Sequence, residues 1–425
     1  MRRFRWFIVA MLFLANVINY LDRSALSVAA PLVRKDLGLS PAALGFIFSA
    51  FFVGYALFNF VGGVLADRAG GKTVFGWAMG LWSFLCALTA AATGFASLFV
   101  IRVAFGMAEG PLATCTNKMI NNWFPHRQAG TAIGYAFSGS PLGGAVAGPI
   151  VGLLAVAFGW KVSFVIVGAL GLVWLAVWVT QVTEGPDGNP RVSEEERREV
   201  AESRPPLAET DHAGSGPGLG WYIRQPVVLA TTFAFFGYNY VLYFFLTWFP
   251  SYLTMARHLS IKSMSIATVL PWLLGFIGLA LGGRITDLVL HQTGRALFAR
   301  KILLVSCLGM SAICVALTGL VTTVGMAVGL VAIAVFFLYL TGSTYWAIIQ
   351  DSVRGANVGG TGGFMHGVAN CSGIIGPSVT GLIVQASGGF GGAFALAGGI
   401  AMLGAIGVAI FVRPLPAPPL VHLSA

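Results

Sequence analysis

The chain has 425 residues, of which 57% are hydrophobic and 9% charged, and its mean hydropathy is +0.82. A soluble domain carries about 25% charged residues, so a water-soluble globule is excluded, and so are a disulfide scaffold, a collagen and a disordered chain. The formal net charge of +10 does not point to nucleic acid, because the bases sit singly between apolar runs with no basic stripe.

What remains is an integral membrane protein, with room for about a dozen helices of ~20 residues. Apolar runs broken by polar turns predict spans at 7–33, 43–66, 73–94, 97–123, 130–157 and 161–182. Six more follow at 226–254, 264–290, 301–321, 324–352, 359–385 and 390–412. The opening Arg2-Arg3-Phe4-Arg5 before an apolar run imitates a secretory signal, but that run continues past Asp22-Arg23 to Val33 and reads as a retained first helix. The expected fold class is all-α integral membrane, twelve helices in two six-helix bundles, 1–182 and 226–425. The segment 183–225 between them holds nine of the fifteen acids and reads as a flexible cytoplasmic linker. Within it Ser193 and Glu196 have capping-box spacing and Glu194–Arg198 is an i,i+4 pair, so a short surface helix is expected.

Placing the N-terminus inside puts eighteen Lys and Arg on that side against five outside, with Arg23 and Arg102 left in the membrane. Both termini are therefore expected in the cytoplasm, with the protein multi-pass in the inner (plasma) membrane. Cys86, Cys115, Cys307, Cys314 and Cys371 all lie in apolar runs without metal spacing and read as helix-packing residues; no metal is expected. Gly63-Val-Leu-Ala-Asp67 recurs as Gly283-Arg-Ile-Thr-Asp287. Arg127 through Gly134 to Pro149 recurs as Arg354 through Gly362 to Pro377. Matching halves of six helices are the plan of many secondary transporters.

Only two acids lie deep in the spans, Asp22 and Glu109, and two bases accompany them, Arg23 and Arg102. Each charge at mid-bilayer costs about 2.5–3.5 kcal/mol on insertion scales, so all four need partners. Arg102 and Glu109 are two turns apart on one helix face, about 10 Å, whereas Asp22 and Arg23 point in different directions. One reading is a structural ion-pair lattice pinning helix 1 to helix 4. The other is a proton-coupled anion site. With all four groups ionised the cluster sums to zero, and protonating either acid leaves a guanidinium able to take an incoming carboxylate bidentately.

Further cavity candidates are Tyr55, Tyr238, Asn239, Tyr243 and Trp346, which suit a hydroxylated ligand but equally suit packing or interface anchoring. The Tyr238–Asn239–Tyr240 run favours a site, because a buried Asn needs partners. His366 and Asn370 form an i,i+4 pair on helix 11, either satisfied structurally or facing the ligand. Asp67, Arg68, Asp287 and Arg354 fall at cytoplasmic helix ends and are expected to form gate salt bridges or caps.

Gly63-Val-Leu-Ala-Asp67-Arg68-Ala-Gly70-Gly-Lys72 resembles the helix 2–3 loop signature of the major facilitator superfamily. Asn19-Tyr20-Leu21-Asp22-Arg23, Arg102-x3-Gly106-x2-Glu109-Gly110-Pro111, Trp123-Phe-Pro125 and Tyr243-Phe-Phe-Leu-Thr-Trp248-Phe-Pro250-Ser-Tyr252-Leu resemble its anion:cation symporter family. That family includes bacterial sugar-acid/proton symporters and the vesicular glutamate and sialic acid transporters. The resemblance implies anion binding by Arg23, proton coupling by Glu109 with Asp22, and Arg102 as the internal partner of those acids. It also implies import of a small organic anion with the proton as coupling ion and no other cofactor. The protein is expected to act as a monomer, with no nucleic-acid partner and the bilayer as its surroundings. Members commonly carry Asn where this chain has His366. A sugar acid (aldonate, hexuronate or aldarate) is the leading substrate, with aromatic or other carboxylates as alternatives.

A drug/proton antiporter is the rival reading, on Gly144-Ala-Val-Ala-Gly148-Pro149-Ile-Val-Gly152. Small residues at that spacing also serve close helix packing, and a second Arg suits anions better than lipophilic cations. No Walker loop, metal spacing or nucleophile elbow supports an enzyme.

Overall fold

A computed structural model describes residues 4–202, 218–353 and 357–414, apart from the side chains of Phe60, His126, Arg127 and Asp287. Two expected gate groups, Arg354 and the Asp287 side chain, lie outside the described residues, as do 203–217 of the central segment and the tail from 415. Among the described residues all regular structure is helical, and twelve helices are long and apolar enough to cross a membrane.

We number them α1 (Arg5–Asp36), α2 (Pro41–Ala69), α3 (Gly71–Ala91), α4 (Phe95–Trp123), α5 (Gln128–Phe158) and α6 (Trp160–Gln181). Then come α7 (Pro226–Met255), α8 (Ile261–Thr293), α9 (Ala296–Thr318), α10 (Val324–Ser352), α11 (Val358–Ser387) and α12 (Gly391–Phe411). Their ends follow local chemistry. Ser40 accepts from the Ala43 amide while Pro41 sits at the first helical position, where its missing N–H costs nothing. Four spans are interrupted rather than continuous: α5 breaks at Ser138 and α8 at Thr268, and the other two breaks are wider. α4 stops at Glu109 and resumes at Leu112, after Gly110-Pro111, and α10 breaks between Leu340 and Thr344. Non-helical backbone at membrane depth is tolerated where protein or a water-filled cavity surrounds it.

The contacts divide the chain into two compact units. Unit 1 is Met1–Pro205 with Phe245–Phe276 and Ile374–Phe390; unit 2 is Pro206–Phe244, Ile277–Gly373 and Gly391–Ala425. In unit 1, α2 and α4 touch backbone to backbone. A Cβ at Gly106 would lie 1.9 Å from the Phe51 carbonyl oxygen and 2.9 Å from the Tyr55 amide nitrogen. Any side chain there would drive apart the two helices that carry Phe51, Tyr55, Arg102 and Glu109.

At the end of unit 1 remote from the N-terminus, parts of α7, α8 and α11 pack on α2 and α5. The Ser378 hydroxyl donates to Ser49 Oγ at 2.7 Å, and the Ser378 amide donates to the same atom at 3.1 Å. The Trp248 indole donates to the Pro377 carbonyl at 3.1 Å. Gly148 is close enough to α8 that a Cβ would meet Thr268 Oγ1 at 2.3 Å and Ser265 O at 2.4 Å.

The central segment departs from a flexible linker over residues 183–202. Glu184 accepts from the Gly71 and Lys72 amides at 2.6 and 2.8 Å, at the N-terminus of α3 where a helix dipole favours an anion. The expected short helix is present at Glu194–Glu202, with Ser193 Oγ accepting from the Glu196 amide at 3.3 Å. The capping box does not close. Glu196 instead accepts the Phe4 and Arg5 amides at 3.0 Å each, capping α1, and Glu199 takes the buried Arg5 guanidinium at 2.9 Å. The first twenty residues of the segment are thus part of unit 1.

In unit 2, Leu303, Cys307 and Leu340 form an apolar core with Leu281, Ile285, Phe336 and Phe337 packed against it. Arg300 pairs with Asp351 and with the Ala347 carbonyl. Lys301 Nζ donates to the Val412 carbonyl at 3.1 Å.

Candidate functional site

Unit 1 gathers the four intramembrane charges. Arg23 of α1 donates to Glu109 Oε2 from Nη2 at 2.8 Å and from Nε at 3.2 Å. Glu109 is fully buried, and its Oε1 takes no bond from Arg23. The direct hydrogen-bonded partner of Glu109 is thus Arg23, while Arg102 acts on both acids through its charge alone. Glu109 closes the last turn of the first half of α4 and faces α1, while Arg102 lies two turns back. The Arg102 guanidinium stacks over Phe51 and Phe105 at 5.0 and 4.9 Å, and its Nε has no partner.

Aromatic rings frame Arg23. Its guanidinium carbon lies 4.8 Å from the Phe51 and Tyr55 ring centres and 5.1 Å from that of Tyr20. A planar guanidinium is suited to such stacking and remains able to bond carboxylate in its own plane. Tyr55 therefore belongs to the cluster, in contact with Arg23. Asp22 does not share that pair. It is completely buried, and the Trp82 indole is the hydrogen-bond donor that faces it. Its polar neighbours are Glu109, the Trp82 indole of α3 and Arg102. The side chain of Asn19, one turn before Arg23, is likewise buried and faces the Glu109 carboxylate. Trp82 carried no sequence signal, since it is one aromatic in an apolar run. Asn19 belongs to the Asn19–Arg23 motif, but its residue type alone carries no sign of a role.

Unit 2 holds the remaining candidates. Tyr243 Oη lies 2.7 Å from Asn370 Oδ1, and Asn370 Nδ2 lies 3.2 Å from His366 Nε2. Trp346 and Phe235 flank His366, with ring centres 5.6 and 6.1 Å away. Phe235 was not singled out from the sequence, because nothing separates it from neighbouring phenylalanines until α10 and α11 are placed. Tyr238, Asn239 and Tyr240 do not act together: a helix turns about 100° per residue. Tyr238 packs on Phe235, Tyr345 and Tyr339, and Tyr240 lies against Phe236. Asn239 is buried and makes no side-chain hydrogen bond among the described residues.

Of the gate candidates, Asp67 is ion-paired with Lys118 Nζ at 2.8 Å, and Lys118 also donates to the Ala66 carbonyl. This pair lies within unit 1 and ties the end of α2 to α4. The partner was not foreseen, because the fifty-one residues separating it from Asp67 carry no pattern. Arg68 makes no ion pair among the described residues.

Twelve membrane-length helices among the described residues, with a buried cluster of four charged side chains in unit 1, are the features of a polytopic membrane transporter. The model of the Major Facilitator Superfamily matches residues 12–365, and the chain belongs to that superfamily. It is 53% identical over 410 residues to the hexuronate transporter of Bacillus subtilis (strain 168), covering 96% of this chain and 94% of that protein. It is 32% identical over 423 residues to a probable galactarate/D-glucarate transporter of the same organism, covering 97% and 92%. Among solved structures, the D-xylose-proton symporter matches with a TM-score of 0.73 at 15% identity, over 96% of this chain and 97% of that one. That likeness shows the fold.

Proposed function

We infer that the chain is a proton-coupled symporter that imports a sugar acid, a hexuronate first among them, by alternating access. The observation that carries this reading is the buried bond of Arg23 to one oxygen of Glu109. The chain is 53% identical to a hexuronate transporter and 32% identical to a probable galactarate/D-glucarate transporter.

The chemistry follows from charge balance. With Glu109 ionised, Arg23 is neutralised internally and has little to gain from a second carboxylate. A proton on Glu109 removes that negative charge, and the guanidinium becomes a bidentate donor for the substrate carboxylate. Departure of the substrate leaves Arg23 uncompensated, which draws Glu109 back and expels the proton. Each ligand thereby raises the affinity for the other, as linkage requires. Asp22, buried beside Glu109 and the Trp82 indole, is the second proton-exchanging group, and Arg102 sets the field on both acids. In unit 2, Tyr243, Asn370 and His366 bond the substrate hydroxyls, with Tyr238, Asn239 and Trp346 beside them. Tyr55 steadies Arg23. Asp67, Arg68, Asp287 and Arg354 act at the cytoplasmic helix ends as gate groups.

The protein works as a monomer in the plasma membrane, with both termini in the cytoplasm and no cofactor besides the proton. The experiment is uptake of labelled hexuronate into proteoliposomes under an imposed pH gradient. Accumulation that requires the gradient and is abolished by a protonophore supports the reading. Uptake indifferent to both removes proton coupling.

A further inference from the structure

Asn370 settles the hydrogen positions of its neighbours. Its Nδ2 donates to the His366 carbonyl oxygen at 2.8 Å. A carbonyl oxygen only accepts, so the amide orientation is fixed: NH2 toward His366, Oδ1 toward the Tyr243 hydroxyl at 2.7 Å. The second hydrogen of that NH2 meets His366 Nε2 at 3.2 Å. Nε2 is therefore an acceptor, and a neutral imidazole with its lone pair on Nε2 carries its hydrogen on Nδ1. Among the described residues, no protein group accepts from that Nδ1–H.

Trp346 lies beside this donor. A Cβ at Gly362, one turn before His366 on α11, would come 2.8 Å from the indole Cζ3, so the glycine lets the ring lie on the helix. Trp346 is 39% exposed, which leaves indole surface uncovered by the protein. Phe235 stands edge-on to it, at 6.4 Å and 74°.

We propose that His366, held as the Nδ1–H tautomer beside Trp346 and Phe235, selects the closed pyranose ring of a sugar acid over open-chain acids. The proposal rests on the sugar-acid reading above and deepens it. A pyranose presents an apolar C–H face for the indole, with ring oxygen and hydroxyls at its edge to accept from Nδ1–H. An open-chain aldonate or aldarate presents hydroxyls on every side, so the same contact strips them of water without replacing their hydrogen bonds. An Asn at position 366 would offer an acceptor as well as a donor. The locked imidazole offers only the donor, and that difference narrows the choice.

The test is competition against labelled hexuronate uptake in proteoliposomes by three unlabelled compounds. They are the hexuronate itself, its ring-locked 1,5-anhydro derivative, and the aldonate of the same configuration. The ring-locked compound is expected to compete within about threefold of the hexuronate and the aldonate about tenfold more weakly, a gap on the order of one or two hydrogen bonds. H366Q keeps an acceptor for Asn370 but places no donor at Nδ1, and W346L removes the ring surface. Each is expected to shrink the gap by about fivefold. In 15N NMR the signal lost on H366Q is expected to be that of a neutral ring protonated at Nδ1. An aldonate that competes as well as the hexuronate, or a gap unmoved in both variants, overturns the proposal. If H366Q does not fold, the ring-locked competition and W346L decide it. If no sugar acid is carried or competes, the functional reading itself falls, which is a distinguishable result.

Discussion

Arg23 gives two hydrogen bonds to one oxygen of Glu109, across eighty-six residues of chain, and neither of these reaches the other oxygen of that carboxylate. A bond so arranged is easily exchanged, because a second carboxylate can enter the guanidinium plane as the first withdraws. Arg23→Lys keeps the charge and the ion pair but loses the fork. Uptake is expected to fall roughly 10- to 100-fold, the worth of one charged hydrogen bond, with folding and membrane insertion intact. Uptake within about threefold of the parent would place the anion site elsewhere.

Glu109→Gln separates binding from coupling. The amide imitates the protonated acid in shape and frees Arg23 from its internal partner. Exchange of labelled for unlabelled substrate across the vesicle should persist, while accumulation driven by a pH gradient should vanish. Surviving accumulation would transfer coupling to Asp22. Loss of both activities would make the carboxylate structural.

The helix Glu194–Glu202 is expected to be a stabilising clamp. Glu196→Ala leaves the Phe4 and Arg5 amides without acceptors and removes a carboxylate 3.9 Å from the buried Arg5 guanidinium, at a cost on the order of 3 kcal/mol. Glu199→Ala keeps the two amide bonds but takes the 2.9 Å acceptor from the buried Arg5 guanidinium, and should cost about 1–2 kcal/mol, less than Glu196→Ala. Thermal unfolding of the two purified variants in detergent compares them directly, and equal shifts would mean that Glu196 does not clamp α1.

Ser49 and Ser378 bond each other where α11 meets α2 within unit 1. In a background without native cysteines, Ser49→Cys combined with Ser378→Cys is expected to form a disulfide on mild oxidation and to stop transport reversibly. Full transport by the cross-linked protein would show that these helix ends need not separate during the cycle.

The sequence by itself determined the class of the protein. Hydrophobicity is a local, additive property, so twelve spans could be counted before any contact was known. The cost of charge in an apolar run likewise singled out Asp22, Arg23, Arg102 and Glu109. The His366–Asn370 pair was legible from the helical repeat. Tertiary structure alone decided who partners whom. Helix rotation turned Glu109 toward Arg23 rather than Arg102, and placed Trp82 beside Asp22. Glu196 left its own capping box for the amides of α1, and Lys118 found Asp67. Each of these pairings joins residues far apart in the chain through the angles at which helices cross, and those angles are set by close approaches such as Gly106 against Phe51. Residue order carries no local trace of such angles, which is why the charges could be found in the sequence and their partners could not.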